Sequence, residues 1–264
     1  MLLHATEKGN GEPSVIILHG LMGSSANWRA VQDALSETYR VICLDLPNHG
    51  ASPHIAQFSL QSLAEDVIET MDALGLGRAV IMGHSLGGKV AMLMASEFTK
   101  RVRGLIVVDI TPRAFDPVHL FTLRACQQLN LAGATRREEL DAALAQSIPQ
   151  PETRDFLLKN VGREDDGSFA WRVPLQYLLD NYRVVSDAVP MTKRYEDSTL
   201  FLGGGHSPFN IDRDCNLIRK WFPYMLLTTI PCAGHLVHVN QPGIFLREVK
   251  IFIGSYVICH KREI

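Results

Sequence analysis

Within the first 110 residues, four short runs are apolar at every position: Val15-Ile16-Ile17-Leu18, Val41-Ile42-Cys43-Leu44, Ala79-Val80-Ile81-Met82 and Leu105-Ile106-Val107-Val108. A strand with one solvated face alternates apolar and polar residues. Runs without alternation therefore predict strands covered on both faces, as in a parallel sheet joined by crossover helices. The connecting segments have the matching period. Leu60, Leu63, Ala64, Val67, Ile68 and Met71 fall on the i, i+3, i+4 stripe of a helix, with Ser59 placed to cap its start and Gly75 and Gly77 just past its end.

From Thr111 to about Pro190 the rhythm changes. No clear strand is legible there, and helical patterns follow one another, broken at Gly133, Pro149-Gln150-Pro151 and Gly162 to Gly167. The strand pattern returns with Thr199-Leu200-Phe201-Leu202 ahead of Gly203-Gly204-Gly205. A helix near Asp212 to Trp221, a strand within Met225 to Ile230 and a last helix from about Gln241 follow, the apolar stretch Ile251 to Cys259 forming the buried face of that helix. We therefore expect one α/β core made of residues 1–110 and 191–264, interrupted by a helical cap over residues 111–190. With 264 residues, 46% hydrophobic and 20% charged, the chain can bury such a core.

The same numbers argue against several function classes. A net charge of −2, with the densest basic spots at Lys100 to Arg103 and Arg136-Arg137, lacks the basic patch of a nucleic-acid binder. Five cysteines (Cys43, Cys126, Cys215, Cys232, Cys259) never form a C-x-x-C pair, which argues against a disulfide framework or a zinc knuckle and fits a reducing cytoplasm. No run approaches the roughly 18 apolar residues of a membrane span, and the start, Met1 to Lys8, turns polar too soon for a secretory signal. With neither H-E-x-x-H nor a phosphate loop, we expect no metal and no cofactor.

The residues that carry chemistry begin with Gly83-His84-Ser85-Leu86-Gly87, which directly follows one apolar run and opens the helical run Val90 to Phe98. G-x-S-x-G alone occurs by chance in roughly one chain in ten of this length. The strand-turn-helix context adds the meaning: a serine on that sharp turn is presented at the top of the sheet, the glycines remove side chains that would clash, and the helix N-terminus faces any developing negative charge. A serine hydroxyl needs a base. Of the ten histidines, His235 fits, because Gly234-His235 follows the last strand and Pro231-Cys232-Ala233 and so reaches the same sheet edge in the chain order Ser, acid, His. His238 reads as structural.

An orienting carboxylate is also required. The loop after the strand that follows the insert, Gly203-Gly204-Gly205-His206-Ser207-Pro208, holds none before Asp212 and Asp214, whereas Asp109 ends an apolar strand where an unpartnered charge would be costly. Asp109 is the first candidate and Asp212 the second. His19-Gly20-Leu21-Met22-Gly23, right after an early strand, supplies an oxyanion loop: Gly20 and Gly23 let backbone approach a substrate oxygen, and the Leu21 and Leu86 amides would donate to it. His19 reads as a buried, hydrogen-bonded residue that shapes this loop. The insert offers apolar side chains to roof a pocket, among them Phe115, Leu120 and Trp171.

Taken together, His19-Gly20-Leu21-Met22-Gly23-Ser24, Asp45 with Asn48-His49-Gly50-Ala51-Ser52, Gly83-His84-Ser85-Leu86-Gly87-Gly88-Lys89, Val108-Asp109-Ile110, Gly204 with Ser207-Pro208-Phe209, and Gly234-His235 with Val237-His238 resemble the α/β-hydrolase superfamily and, within it, the small YbfF-type esterases. The likeness runs from residue 15 to beyond residue 240. It implies an eight-stranded, mostly parallel sheet with helices on both faces and a helical cap inserted before the last two strands. It also implies hydrolysis of short to medium acyl esters, acyl-CoA thioesters included, and an acid at the end of the strand before the cap, here Asp109. Two positions depart from the subfamily pattern: Pro47 stands where an arginine is usual and His206 where an asparagine is usual. Both loops are expected near the mouth of the site, so they bear on substrate class, and His206 is a candidate substrate contact. The expected partner is a small acyl ester or thioester, the expected assembly a monomer or homodimer. Fold and triad alone equally suit C–C bond hydrolysis, lactone opening or perhydrolysis, and a ligand-binding homologue without turnover would differ by a damaged triad or oxyanion loop.

Overall fold

Each apolar run becomes a strand. The computed structural model describes residues 1–258, in the order β1 Ala5–Lys8, β2 Val15–Leu18, α1 Arg29–Ser36, β3 Val41–Leu44, α2 Leu60–Ala73, β4 Ala79–His84, α3 Leu86–Glu97 and β5 Val102–Val108. The insert then supplies α4 Val118–Gln128, α5 Arg137–Ala145, α6 Pro151–Leu158, β6 Val161–Arg163, β7 Phe169–Trp171, α7 Leu175–Asp180 and α8 Tyr182–Ser186. After it come β8 Thr199–Gly204, α9 Cys215–Trp221, β9 Met225–Ile230, α10 Val237–Asn240 and α11 Pro242–Ile251, which runs into a π-helical turn, Phe252–Ile258. Cys259, the end of the last apolar stretch, lies outside the described residues. Ser59 caps α2 by accepting the Ser62 N–H at 3.0 Å.

The main sheet has the order β1-β3-β2-β4-β5-β8-β9. β1 pairs antiparallel with β3, and the other pairs are parallel. Seven strands, not eight, make up this sheet among the described residues, because the segment ahead of β2 provides one edge strand. Period-2 geometry divides the strand residues between two cores. Ile16, Leu18, Ile42, Leu44, Ile81, Leu105, Val107 and Phe201 face the side of α2, α3 and the insert. Val15, Ile17, Val41, Cys43, Val80, Met82, Ile106, Val108, Leu200 and Leu202 face the side of α1 and α11. Burying one such aliphatic side chain contributes about 1.5–3 kcal/mol, which is why the runs carry no polar residue on either face.

The insert contains a strand pair that the sequence does not reveal. β6 and β7 form an antiparallel hairpin in which Val161 faces Trp171 and Arg163 faces Phe169. Three residues are too few to show alternation, and the turn between them, with Gly167 at φ 84°, reads as a plain break in a helical region. Cys43, Cys126, Cys215 and Cys232 are all free. Among the described residues no helix is long and apolar enough to cross a membrane, and no group of three or more His, Cys, Asp or Glu side chains is placed to hold a metal ion.

Candidate active site

The chain leaves β2 for β3 on one side and returns to β4 on the other, so a crevice opens at the carboxyl ends of β2 and β4. Backbone strain gathers along that edge. Each of the six parallel strands is followed, on its outgoing loop, by a non-glycine residue with positive φ: Met22 (60°), Asn48 (68°), Ser85 (51°), Asp109 (53°), Asn210 (39°) and Cys232 (57°). This region is costly for side-chain-bearing residues, and such strain clusters at functional sites.

Ser85, at φ 51° and ψ −115°, is the hinge between β4 and α3. Its N–H donates to Val108 O at 3.1 Å, tying the turn to the neighbouring strand. The flanking glycines answer to contact rather than flexibility: a Cβ on Gly83 would lie 2.1 Å from Gly87 O, and one on Gly87 would lie 2.4 Å from Leu18 O. Below the turn α3 is buried from Leu86 through Ser96, apolar but for Lys89 and Ser96, and this buried helix fixes where the serine stands.

Asp109 is fully buried at the end of β5, and its carboxylate has three donors. Oδ1 accepts the Gly204 N–H at 2.9 Å, while Oδ2 accepts the Ser207 hydroxyl and lies 2.7 Å from His235 Nδ1. The Asp109 N–H in turn donates to Leu202 O at 2.7 Å, so the ends of β5 and β8 are stitched together around this carboxylate. Asp212 lies elsewhere, accepting the Thr229 hydroxyl at 2.7 Å. The structure thus brings Asp109, not Asp212, to His235. Ser85 and His235 line one cavity. No hydrogen bond joins these two side chains among the described residues; in unliganded enzymes such bonds are often long and tighten when substrate binds.

The loop after β2 is braced from behind by neutral histidines. His19 Nδ1 donates to Gly20 O (2.8 Å) and Nε2 accepts the Leu46 N–H (3.0 Å); His49 Nδ1 donates to Pro47 O (2.9 Å) and Nε2 accepts the Met22 N–H (3.1 Å). Burial lowers the pKa of both imidazoles, that of His49 to about 3. The Gly87 N–H donates to His19 O at 3.1 Å, docking this loop on the serine turn. Met22 and Gly87 are therefore committed, whereas the Leu21 and Leu86 amides have no hydrogen-bond partner among the described residues.

The cavity has a volume of about 480 Å³. One wall is the sheet edge, with Leu21, Met22, Ser85 and His235; the other is the insert, with Phe121 and Leu123 of α4, Ile148, and Phe156 and Leu157 of α6. The side chains singled out in the sequence stand differently. Phe115 lines only a small neighbouring void beside Ser85 and Leu86. Leu120 and Trp171 pack against the core and line neither space, because helical phase turns Leu120 away from the face shared by Val118 and Thr122. His206 is an exposed turn residue, its N–H held by Ala233 O, and Pro47 is buried in the loop after β3; neither reaches the cavity lining.

Four residues join the site without having been singled out for it. His84 Nε2 donates to His235 O at 2.9 Å and so fixes the backbone of His235. Burial, with His235 and His238 nearby, drives the His84 pKa well below the ordinary histidine value. Ser207 anchors Asp109. Phe209 packs its ring 4.6 Å from that of His235, and His119 of α4 places its own 5.8 Å away. Burial, followed by the charge of His235, lowers the His119 pKa to about 4. His84, Ser207 and Phe209 are visible in the sequence only as motif members; nothing in the spacing of His119 marks it. His238 stacks on Trp28, ring centroids 3.9 Å apart.

Comparisons with known proteins agree with this geometry. A family model described as the alpha/beta hydrolase fold matches residues 13–242. Over 251 residues the chain is 33% identical to the sn-1-specific diacylglycerol lipase ABHD11 of Xenopus tropicalis, covering 92% of this chain and 78% of that protein. It is 27% identical to Esterase YbfF of Escherichia coli K12 over 256 residues, covering 95% and 96% of the two chains. Among solved structures, a marine microorganism esterase superposes with a TM-score of 0.91 at 34% identity, covering 95% of this chain and 99% of that one. The chain belongs to the α/β-hydrolase family, within its YbfF-type esterases.

Proposed function

We propose that this protein is a serine hydrolase that cleaves short to medium acyl esters or thioesters through an acyl-enzyme on Ser85, with His235 as base, Asp109 as its orienting acid and residues 111–190 as a cap over the substrate. One observation carries the reading: a fully buried carboxylate holds His235 Nδ1 at 2.7 Å on the rim where the strained Ser85 turn stands. With Nδ1–H directed at Asp109, Nε2 keeps its lone pair for the serine proton.

The hydroxyl proton of Ser85 passes to His235 Nε2 as Oγ adds to the substrate carbonyl carbon. The oxyanion formed is met by the Leu21 and Leu86 amides, the two N–H groups left uncommitted where the loop and the α3 N-terminus converge. The C–O or C–S bond then breaks, His235 returns the proton to the leaving alcohol or thiol, and water repeats the sequence to release the acid. A cavity of about 480 Å³ with aliphatic and aromatic walls suits an acyl chain, and the relatives' printed activities, esterase and diacylglycerol lipase, are acyl-ester hydrolyses.

The test is Ser85→Ala against a p-nitrophenyl butyrate assay and a fluorophosphonate label. We expect turnover to fall by about three to five powers of ten with the fold intact, and labelling of the wild type alone. Near-normal hydrolysis by the variant, or a wild type that takes no label, would remove the serine from the mechanism.

A further inference from the structure

Lys89 has no part in the chemistry above and lines neither cavity space, yet it is completely buried. It stands one helical turn after Ser85, its N–H donating to Ser85 O at 3.0 Å. The ammonium reaches across to the end of the insert, where Nζ donates to Val185 O at 2.7 Å and to Asp187 O at 2.5 Å. These carbonyls end α8, so the charge also meets the negative end of that helix.

The same place is the neck through which the insert leaves and rejoins the sheet. Its outgoing and returning chain segments are joined by Phe115 N–H to Ser186 O (2.8 Å) and Val189 N–H to Pro112 O (2.9 Å). Phe115, 5.3 Å from Nζ, packs edge-on against Phe209 at 4.9 Å, and Phe209 packs on His235 at 4.6 Å. A buried lysine is expensive, and an apolar side chain of its size would fill the space at lower cost. Its fixed position on the serine-bearing helix gives it a role that an apolar side chain lacks: it registers the insert against the sheet edge.

We propose that Lys89 is a positioning residue that fastens the neck of the insert to α3, and that this fastening sets acceptance of long acyl chains, which contact the insert wall, while acetyl esters are indifferent to it. The assay rests on the esterase reading. Burial lowers the Lys89 pKa to about 8; Asp187 favours the charged form and Arg113, itself paired with Asp214, opposes it. Above that pH the neutral amine keeps two donors but loses charge assistance, so the grip weakens without vanishing.

The experiment compares p-nitrophenyl octanoate with p-nitrophenyl acetate for the wild type and Lys89→Met. The ratio of the two kcat/KM values cancels the ionisation of His235, common to both esters. We expect the variant's ratio to drop about tenfold through KM for octanoate, with acetate turnover within about twofold. From pH 7 to 9.5 the wild-type ratio should fall about threefold and the variant's should stay flat. Should the variant fail to fold, the wild-type profile, read with amide exchange at Phe115 and Val189, decides alone: a falling ratio and faster exchange beyond the intrinsic rate support the inference. An unchanged ratio, or equal losses on both esters with no pH dependence of the ratio, overturns it. A wild type inactive on both esters would instead strike at the esterase reading.

Discussion

The carboxyl edge of the sheet and the insert facing it build the two walls of one cavity by different means. At the edge, position is imposed by the backbone: the loops leaving six strands each carry a non-glycine residue with positive φ, and Asp109, Ser207, Gly204 and His235 are locked by hydrogen bonds of 2.9 Å or less. The insert wall is made of the apolar side chains of Phe121 and Leu123 on α4, Phe156 and Leu157 on α6, and Ile148 in the loop between α5 and α6, which pack without side-chain hydrogen bonds; the insert's Asn160 Nδ2 donates to Met22 O of the edge loop at 2.7 Å. The lesson is a division of labour: the edge holds atoms to fractions of an ångström, as catalysis needs, and the insert supplies shape, which tolerates change.

The largest expected effect lies at the edge. Asp109→Asn keeps shape but misorients the imidazole, and kcat should fall about 10³- to 10⁴-fold. Asp212→Asn, which disturbs only the Thr229 contact, should leave kcat within about twofold. Comparable losses in both variants, measured on one ester, would break the distinction between the two carboxylates.

A smaller and more selective effect belongs to the insert. Ile148→Trp adds bulk to the cavity wall and should lower kcat/KM for an octanoyl ester about tenfold while leaving an acetyl ester nearly untouched. Equal losses on both would mean that the insert shapes the chemistry itself.

Stability against pH separates the walls more gently. Beneath the edge, His19, His49, His84 and His238 are all held neutral by burial. A folded pKa of about 3 for His49 lies below its unfolded value, so between the two the unfolded chain binds the extra proton and stability falls as pH falls. At pH 5 that histidine alone costs about 2 kcal/mol relative to pH 8. Urea unfolding at both pH values should show His49→Gln losing less stability on acidification than the wild type by about this amount, and parallel losses would contradict it.

How much was legible in the sequence follows the same divide. Runs such as Val15 to Leu18 announce strands because nothing polar fits on either face, and Gly83 and Gly87 announce the serine turn because a Cβ there would strike backbone. Asp109 stands out as a charge closing an apolar strand and so ranks ahead of Asp212, but its contact with His235 depends on the pairing of β5 with β8, whose register sets Val108 beside Leu202. The insert was harder to read. The hairpin β6–β7 is too short for a period to emerge, and the phase that turns Val118 and Thr122 inward while hiding Leu120 is fixed by docking rather than by pattern. His119 is placed beside His235 by the same docking. The seventh and outermost strand of the sheet, β1, with the sequence Ala5-Thr6-Glu7-Lys8, is half polar and carries no apolar run, so neither its presence nor the final strand count could be read in advance.

Rapid-quench mass spectrometry on p-nitrophenyl butyrate would show whether the edge forms a covalent acyl intermediate. We expect a burst of p-nitrophenol and a butyryl mass on the peptide bearing Ser85, absent in Ser85→Ala and accumulating more slowly in Asp109→Asn. A butyryl group on another residue, or steady turnover by a chain that never carries one, would contradict it.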